Sequence, residues 1–161
     1  MTEIRLDLPP SLDEKRFARY IHRAARPIEW NPARLIIMSS MLAFDAGKNG
    51  GYMDGRTVLA SLQDFPVLNA NACDFLLQHP EELPKEDWLK IGSRNLCFLG
   101  TKYQQHKSDS DEWFVPCITT FRNELIKSDV MVNAPCWDRT ILIAGYVGLE
   151  VYPTNLNSLC T

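Results

Sequence analysis

The spacing of apolar positions predicts that helices fill the first half of the chain. Between Ser11 and Ile28 the apolar residues recur every three or four positions, at Phe17, Ile21, Ala24 and Ile28. A helix turns by about 100° per residue, so these side chains would share one face. Ser11 and Glu14 match a capping box, and Pro27 would end the helix. We therefore expect a first amphipathic helix in this segment.

Four further short helices are expected before residue 95, because each apolar segment follows a residue that commonly caps a helix and ends at Gly or Pro. The expected starts are Asn31-Pro32, Asp54, Asn69 or Asn71, and Pro84. The expected apolar faces comprise Leu35 to Phe44, then Val58, Leu59 and Leu62, then Phe75 to Leu77, and finally Trp88, Leu89 and Ile91.

The second half of the chain has the residue pattern that is typical of β-strands. Leu96 to Tyr103 and Trp113 to Ile118 are predicted as strands, and a third is expected from Leu149. Thr120 to Lys127 is predicted as a helix, and Ile141 to Tyr146 fits either a helix or a strand. The expected fold is therefore α+β, with about five short N-terminal helices packed on a small, mainly antiparallel C-terminal sheet. We expect residues 1–161 to form a single globular domain.

Composition narrows the class of protein. The 161 residues are 45% hydrophobic, which is enough for a sizeable core, and the formal net charge is -3. The longest apolar run, Ile141 to Leu149, is far shorter than the roughly 20 residues of a membrane helix. No signal peptide pattern begins the chain. These features predict a soluble cytoplasmic protein without membrane contact.

Cysteine and histidine spacing predicts neither a metal site nor a cofactor. The five cysteines are about twenty residues apart and form no C-x-x-C pair, which disfavours a disulfide scaffold or structural zinc. The glycine-rich segment Asp45 to Arg56 resembles a calcium loop, but its twelfth position is Arg56, where calcium needs a carboxylate. A phosphate cradle near Lys48 is a second interpretation, and a plain connecting loop is the simplest.

Four arginines are the strongest candidates for a binding site. On the predicted first helix Arg16, Arg19, Arg23 and Arg26 share one face, with Tyr20 beside them as an aromatic anchor. Guanidinium groups suit carboxylates or phosphates, so the face could dock a partner protein with an acidic surface or grip a nucleic-acid backbone. A solvated face paired with the protein's own carboxylates is the plainer interpretation.

No complete catalytic motif is present, so an enzyme is the second hypothesis. Its candidate site joins a Cys136 thiolate, beside Arg139, to His106 as the base. The leading hypothesis is a small non-enzymatic protein-binding module, such as an inhibitor, an adaptor or an immunity-type factor. The sequence indicates no oligomeric state.

Overall fold

A computed structural model describes residues 2–40, 55–106, 112–132, 137 and 140–153. The strands of this described part are β1 Glu3–Ile4, β2 Phe17–His22, β3 Ile28–Glu29, β4 Leu35–Ser39, β5 Asn95–Cys97, β6 Thr101–Gln105, β7 Trp113–Phe121, β8 Glu124–Met131 and β9 Ile141–Tyr146. The α-helices are α1 Gly55–Ser61, α2 Ala70–Gln78 and α3 Lys85–Ile91. Short 3-10 turns cover Pro32–Arg34 and Pro80–Glu82.

One mixed seven-stranded sheet organises the fold. Its order is β2-β6-β7-β5-β9-β4, with β8 paired to β7, while β1 and β3 form a separate two-stranded sheet. The β5–β9 pair is parallel and the other pairs are antiparallel. The strand nearest the C-terminus, β9, therefore lies inside the sheet, between β5 and β4.

The core lies on both faces of this sheet, because neighbouring residues on a strand point to opposite sides. Leu96 and Phe98 pack in one apolar cluster with residues of α2 and α3, whereas Cys97 and Leu99 pack in a second cluster with residues of α1. Fully burying one such side chain stabilises the fold by about 1.5–3 kcal/mol. The sheet is thus covered by α2 and α3 on one face and by α1 on the other.

The predicted first helix is wrong, because residues 17–22 form the strand β2. In this strand Tyr20 is paired with Tyr103 and Ile21 with Lys102 on β6. Phe, Tyr and Ile fit a pleated surface well, and pairing with a strand far along the chain outweighs the helical spacing of the flanking arginines. The fold contains no arginine-rich helix in its described part.

Two other predicted helices are also strands. Leu35–Ser39 is β4, a short apolar run of the kind that periodicity cannot distinguish from a buried helix. Within Thr120 to Lys127, Arg122 and Asn123 have φ of 50° and 61° and form the turn of the β7–β8 hairpin. Positive φ at both central residues is the geometry that matches the twist of paired strands.

The remaining elements follow the sequence more closely. α1, α2 and α3 confirm the predicted helices near Asp54, Asn69 and Pro84, and Ile141–Tyr146 is a strand. Over residues 149–153, the described part of the strand expected from Leu149, there is only an isolated bridge between Val151 and Ala25. The overall prediction of a helical N-terminal portion on a C-terminal sheet is wrong, because strands from both halves of the chain build the sheet.

A buried amide joins the N-terminal segment to the sheet. The Asn69 side chain, only 1% exposed, donates to the carbonyls of Leu6 at 2.9 Å and Arg23 at 3.1 Å. Its Oδ1 accepts from the N–H of Asn71 and so caps α2. A Cβ on Gly100 would lie 2.9 Å from the Cβ of Asn69, so this junction is closely packed.

We expect Asn69→Ala to lower the free energy of unfolding by about 2–4 kcal/mol, because it removes a helix cap, leaves the carbonyl of Arg23 without the amide donor, and takes from the carbonyl of Leu6 one of its two donors, the other being the N–H of Ala25. Asn71→Ala is the matched control, since its amide donates to the carbonyls of Arg5 and Leu8 at an exposed position. It should lower the same quantity by about 1 kcal/mol. Urea denaturation measures both, and equal losses would contradict the special role of Asn69.

Candidate functional site

The four arginines singled out from the sequence occupy four different environments. Arg16 lies just before β2, where its Nη1 and Nη2 donate to the two carboxylate oxygens of Asp129, the second at 2.9 Å. The guanidinium carbon also lies 4.7 Å from the ring centre of Phe17 and 5.3 Å from that of Phe114. Hydrogen bonding to Asp129 raises the pKa of Arg16. Its charge is therefore balanced within the protein.

Arg19 projects from β2 onto the other face of the sheet. Its Nε donates to the side-chain amide of Gln104, and its guanidinium carbon lies 5.2 Å from the ring centre of Trp113. Gln104 is neutral, and among the described residues no carboxylate lies within ion-pair distance of Arg19. The positive charge of Arg19 is therefore held in place but not balanced there.

Arg23 follows β2 and is buried, with 8% of its surface exposed. Its Nη1 donates to the carbonyl of Phe65 at 3.2 Å and its Nη2 to that of Gln63 at 3.0 Å. Burial lowers the pKa of Arg23, while the nearby charge of Asp64 acts in the opposite direction. This side chain packs inside the fold instead of standing on a solvent face.

Arg26 is exposed and forms a 3.0 Å ion pair with Glu150, whose side chain is equally exposed. Such a surface pair contributes little stability, because water screens both charges. Arg26 lines a shallow cavity of about 540 Å³ together with Arg34, over the stacked rings of Trp30 and Tyr146. The cavity also carries the carboxylates of Glu29 and Glu150, so its lining is not strongly cationic.

The exposed part of the candidate binding segment is an edge strand. β2 stands at one end of the seven-stranded sheet and pairs only with β6 in the described structure. Ala18 has no partner on β6 and forms a β-bulge, so the regular edge runs from Arg19 to His22. Tyr20 is 37% exposed on this edge. Arg19 and Tyr20 are thus the two proposed binding residues that a partner could reach along β2.

Of the alternative catalytic pair, His106 is among the described residues and Cys136 is not. Most of the glycine-rich segment from Asp45 to Arg56 also lies outside the described residues. The Nε2–H of His106 donates to the carbonyl oxygen of Glu14, so Nδ1 is the ring nitrogen that keeps a lone pair when the ring is neutral. Within the described part of the chain, no group of three or more His, Cys, Asp or Glu side chains could hold a metal ion.

The described cysteines are enclosed thiols. Cys73, Cys97 and Cys117 are free and fully buried, and the Sγ atoms of Cys97 and Cys117 lie 2.8 Å apart. Burial raises the pKa of Cys73 and of Cys117, so both remain protonated at neutral pH. These three thiols are therefore unsuited to nucleophilic chemistry in the native state.

Sequence reasoning missed the part that His22 plays in the structure. His22 belongs to none of the candidate sites named from the sequence, yet its Nδ1 lies 2.8 Å from the hydroxyl of Thr101 and its Nε2 3.4 Å from the amide of Asn69. Burial lowers the pKa of His22. Thr101 also accepts from the N–H of Ala70, so His22 joins the same polar junction that caps α2. The spacing of residues along the chain carries no signal for this cluster.

Comparisons with protein-family models, with curated proteins and with solved structures found no match to this chain. The described α-helices have at most nine residues, too few for any of them to cross a membrane.

Native protein treated with iodoacetamide should leave Cys73, Cys97 and Cys117 unmodified, because their thiols are buried. Peptide mapping by mass spectrometry measures the modification of each cysteine. The same protein in urea is the control and should be modified at all five. Rapid native modification of Cys136 alone would revive the enzymatic hypothesis, and modification of the three buried thiols would contradict their packing.

The free energy of unfolding should fall as pH drops below about 6.5, because the unfolded chain protonates His22 there while the folded protein resists it. His22→Gln removes this titration and should flatten the profile between about pH 7 and pH 5. Urea denaturation at a series of pH values gives both profiles. Parallel profiles for the two proteins would contradict the lowered pKa of His22.

Proposed function

We propose that this protein is a non-enzymatic binding module that receives an extended, acidic segment of a partner protein along β2. The observation that carries the proposal is the position of β2 at the end of the sheet, with Arg19 and Tyr20 on its outer part. An edge strand offers backbone N–H and C=O groups that can pair with an added strand.

Charge supports the acidic character of the partner. The guanidinium of Arg19 is oriented by Gln104 and Trp113 without a carboxylate among its described contacts. An incoming Asp or Glu would supply the opposite charge in a geometry that is already fixed, which reduces the entropy lost on binding. The formal charge of the whole chain is -3, so an acidic partner would be attracted to this edge and repelled elsewhere.

The two faces of β2 suit different side chains of the partner. Neighbouring residues of a strand point to opposite faces, so a partner strand would meet Arg19 on one face and Tyr20 on the other. The Tyr20 ring is partly exposed and packs edge-on against the His22 ring at 6.4 Å. It can cover an apolar side chain of the partner while its hydroxyl stays in water. Alternating acidic and apolar residues would therefore fit best.

A charged edge can also serve only to prevent aggregation, as in many sheet proteins. Charge reversal separates the two roles, because glutamate at position 19 still blocks edge-to-edge pairing but repels an acidic partner. The bulge at Ala18 is consistent with protection of one end of the edge while residues 19–22 stay regular.

Arg19→Glu should weaken binding of the partner by about tenfold or more while leaving the melting temperature nearly unchanged. The partner is first captured from native cell extract at two salt concentrations and identified by mass spectrometry, and its affinity is then measured by calorimetry. Lys85→Glu is the matched control, since it makes the same charge change at an exposed position on α3.

Amide hydrogen exchange locates the contact. Binding should slow exchange in residues 19–22 and leave α3 unchanged. Equal weakening by Lys85→Glu would show that only overall charge matters, and unchanged affinity of Arg19→Glu would remove β2 from the interface. Binding of DNA or RNA in place of a protein would overturn the partner class.

A further inference from the structure

The strand β8 forms another edge of the sheet, apart from β2. In the described part of the chain its eight residues pair only with β7. The N–H of Val132, directly after β8, donates to the carbonyl of Trp113 at 2.7 Å, so the backbone groups of this even-numbered residue point towards β7. Backbone groups alternate in direction along a strand. The residues whose N–H and C=O point away from β7 are therefore Leu125, Lys127, Asp129 and Met131.

The side chains of β8 are self-complementary about Ser128. Lys127 precedes this residue and Asp129 follows it, while Ile126 and Val130 come next on either side. When a second copy of the strand runs antiparallel with the two Ser128 residues opposite each other, Lys127 of each copy faces Asp129 of the other. Ile126 faces Val130 in the same way. Each pair occurs twice, because two-fold symmetry repeats every contact.

Hydrogen bonding and charge together select this register. Odd-numbered residues lie opposite odd-numbered residues, so the outward N–H and C=O groups of Lys127 meet those of Asp129, and those of Leu125 meet those of Met131. A register centred on Lys127 or on Asp129 would set two like charges opposite each other, which is destabilising. A foreign strand with charges of one sign would satisfy only one of the two charged residues. A second copy of β8 satisfies both.

Both charged side chains have capacity for a further contact. The Lys127 side chain is 50% exposed, and its Nζ donates to Asp74 at 3.2 Å, which uses one of the three N–H groups of the ammonium. The Asp129 carboxylate accepts one hydrogen bond from Arg16 at each oxygen, which leaves about two acceptor sites. Each residue can therefore gain a partner on a second copy and keep its present one.

We propose that this protein forms a symmetric homodimer in which β8 pairs antiparallel with β8 of a second copy, centred on Ser128. The two seven-stranded sheets then become one continuous sheet. Ile126, which is 38% exposed in the single chain, is covered in the dimer by Val130 of the second copy. The proposal is independent of the function argued above, because Arg19 and Tyr20 lie on β2, at a different edge of the sheet.

Sedimentation equilibrium of the full chain should show a reversible equilibrium between monomer and dimer. Lys127→Glu sets two carboxylates opposite each other, and Asp129→Lys sets two ammonium groups opposite each other, so each variant should raise the dimer Kd by about tenfold or more. An equimolar mixture of the two variants should recover a dimer with one copy of each, because opposite charges then meet at both places. Lys85→Glu, at an exposed position on α3, is the matched control and should leave the Kd unchanged.

Cysteine cross-linking tests the register and stays decisive if a charge variant does not fold. Ile126→Cys in one copy and Val130→Cys in a differently tagged copy should form an intermolecular disulfide under mild oxidation. Opposite residues of a pair without hydrogen bonds have Cα atoms about 4.5 Å apart, within reach of a disulfide. Ile126→Cys should not cross-link to itself, because the two sites lie about 13 Å apart along the strands. The unmodified protein is the control for the native cysteines.

A chain that remains monomeric at about 1 mM would overturn the proposal. Equal cross-linking of the mixed pair and of Ile126→Cys with itself would overturn the register centred on Ser128. Folded charge variants that do not recover a dimer when mixed, or a control Lys85→Glu that weakens the dimer as much as Lys127→Glu, would show that these charges do not meet across β8.

Discussion

The buried amide of Asn69 is the contact on which the arrangement of this protein depends. Its Oδ1 caps α2 by accepting a hydrogen bond from the backbone N–H of Asn71, and its Nδ2 donates to the carbonyls of Leu6 and Arg23. It therefore ties the N-terminal segment, the end of β2 and the start of a helix to one point. Gly100 is needed beside it, because any larger residue would displace the backbone of Asn69.

This junction also determines what the neighbouring arginines can do. Because Asn69 donates to the carbonyl of Arg23, the backbone just after β2 has a fixed course, and the Arg23 side chain turns inward to the carbonyls of Phe65 and Gln63. Arg19, within β2, remains at the open edge of the sheet. The different environments of these two arginines thus follow from how β2 ends, which leaves Arg19 as the one of the two that a partner could reach.

The helices were predictable because their signals are local. Asn69 caps α2 and Gly92 ends α3 with φ of 51°, and both kinds of signal lie within a few residues of the helix. The strand β2 was not predictable, because the arginine spacing of three and four residues satisfies a helix equally well. Its true partner, β6, lies about eighty residues away, and no local pattern records that pairing.

The candidate site was predictable only in part. The sequence identified Arg16, Arg19, Tyr20, Arg23 and Arg26 as notable residues. It could not show that Arg16 is balanced by Asp129 or that Arg26 meets Glu150, since these pairs join positions more than a hundred residues apart. Nor could it show that Arg23 is buried, because burial follows from how the ends of β2 and α1 meet. The residue types alone indicated which chemical groups these side chains carry. Whether each group is buried, paired or exposed could be known only from the fold.

The central position of β9 has a consequence for how the chain folds as it is made. Its neighbours β4 and β5 are synthesised earlier, yet neither has its full set of strand partners until Ile141–Tyr146 leaves the ribosome. The apolar strand β4 stays without its partner until all the residues between Ser39 and Ile141 have been synthesised, and is meanwhile exposed to other nascent chains. Completion of the sheet therefore waits for Ile141–Tyr146, and molecular chaperones that shield Leu35–Ser39 until then would raise the yield of native protein.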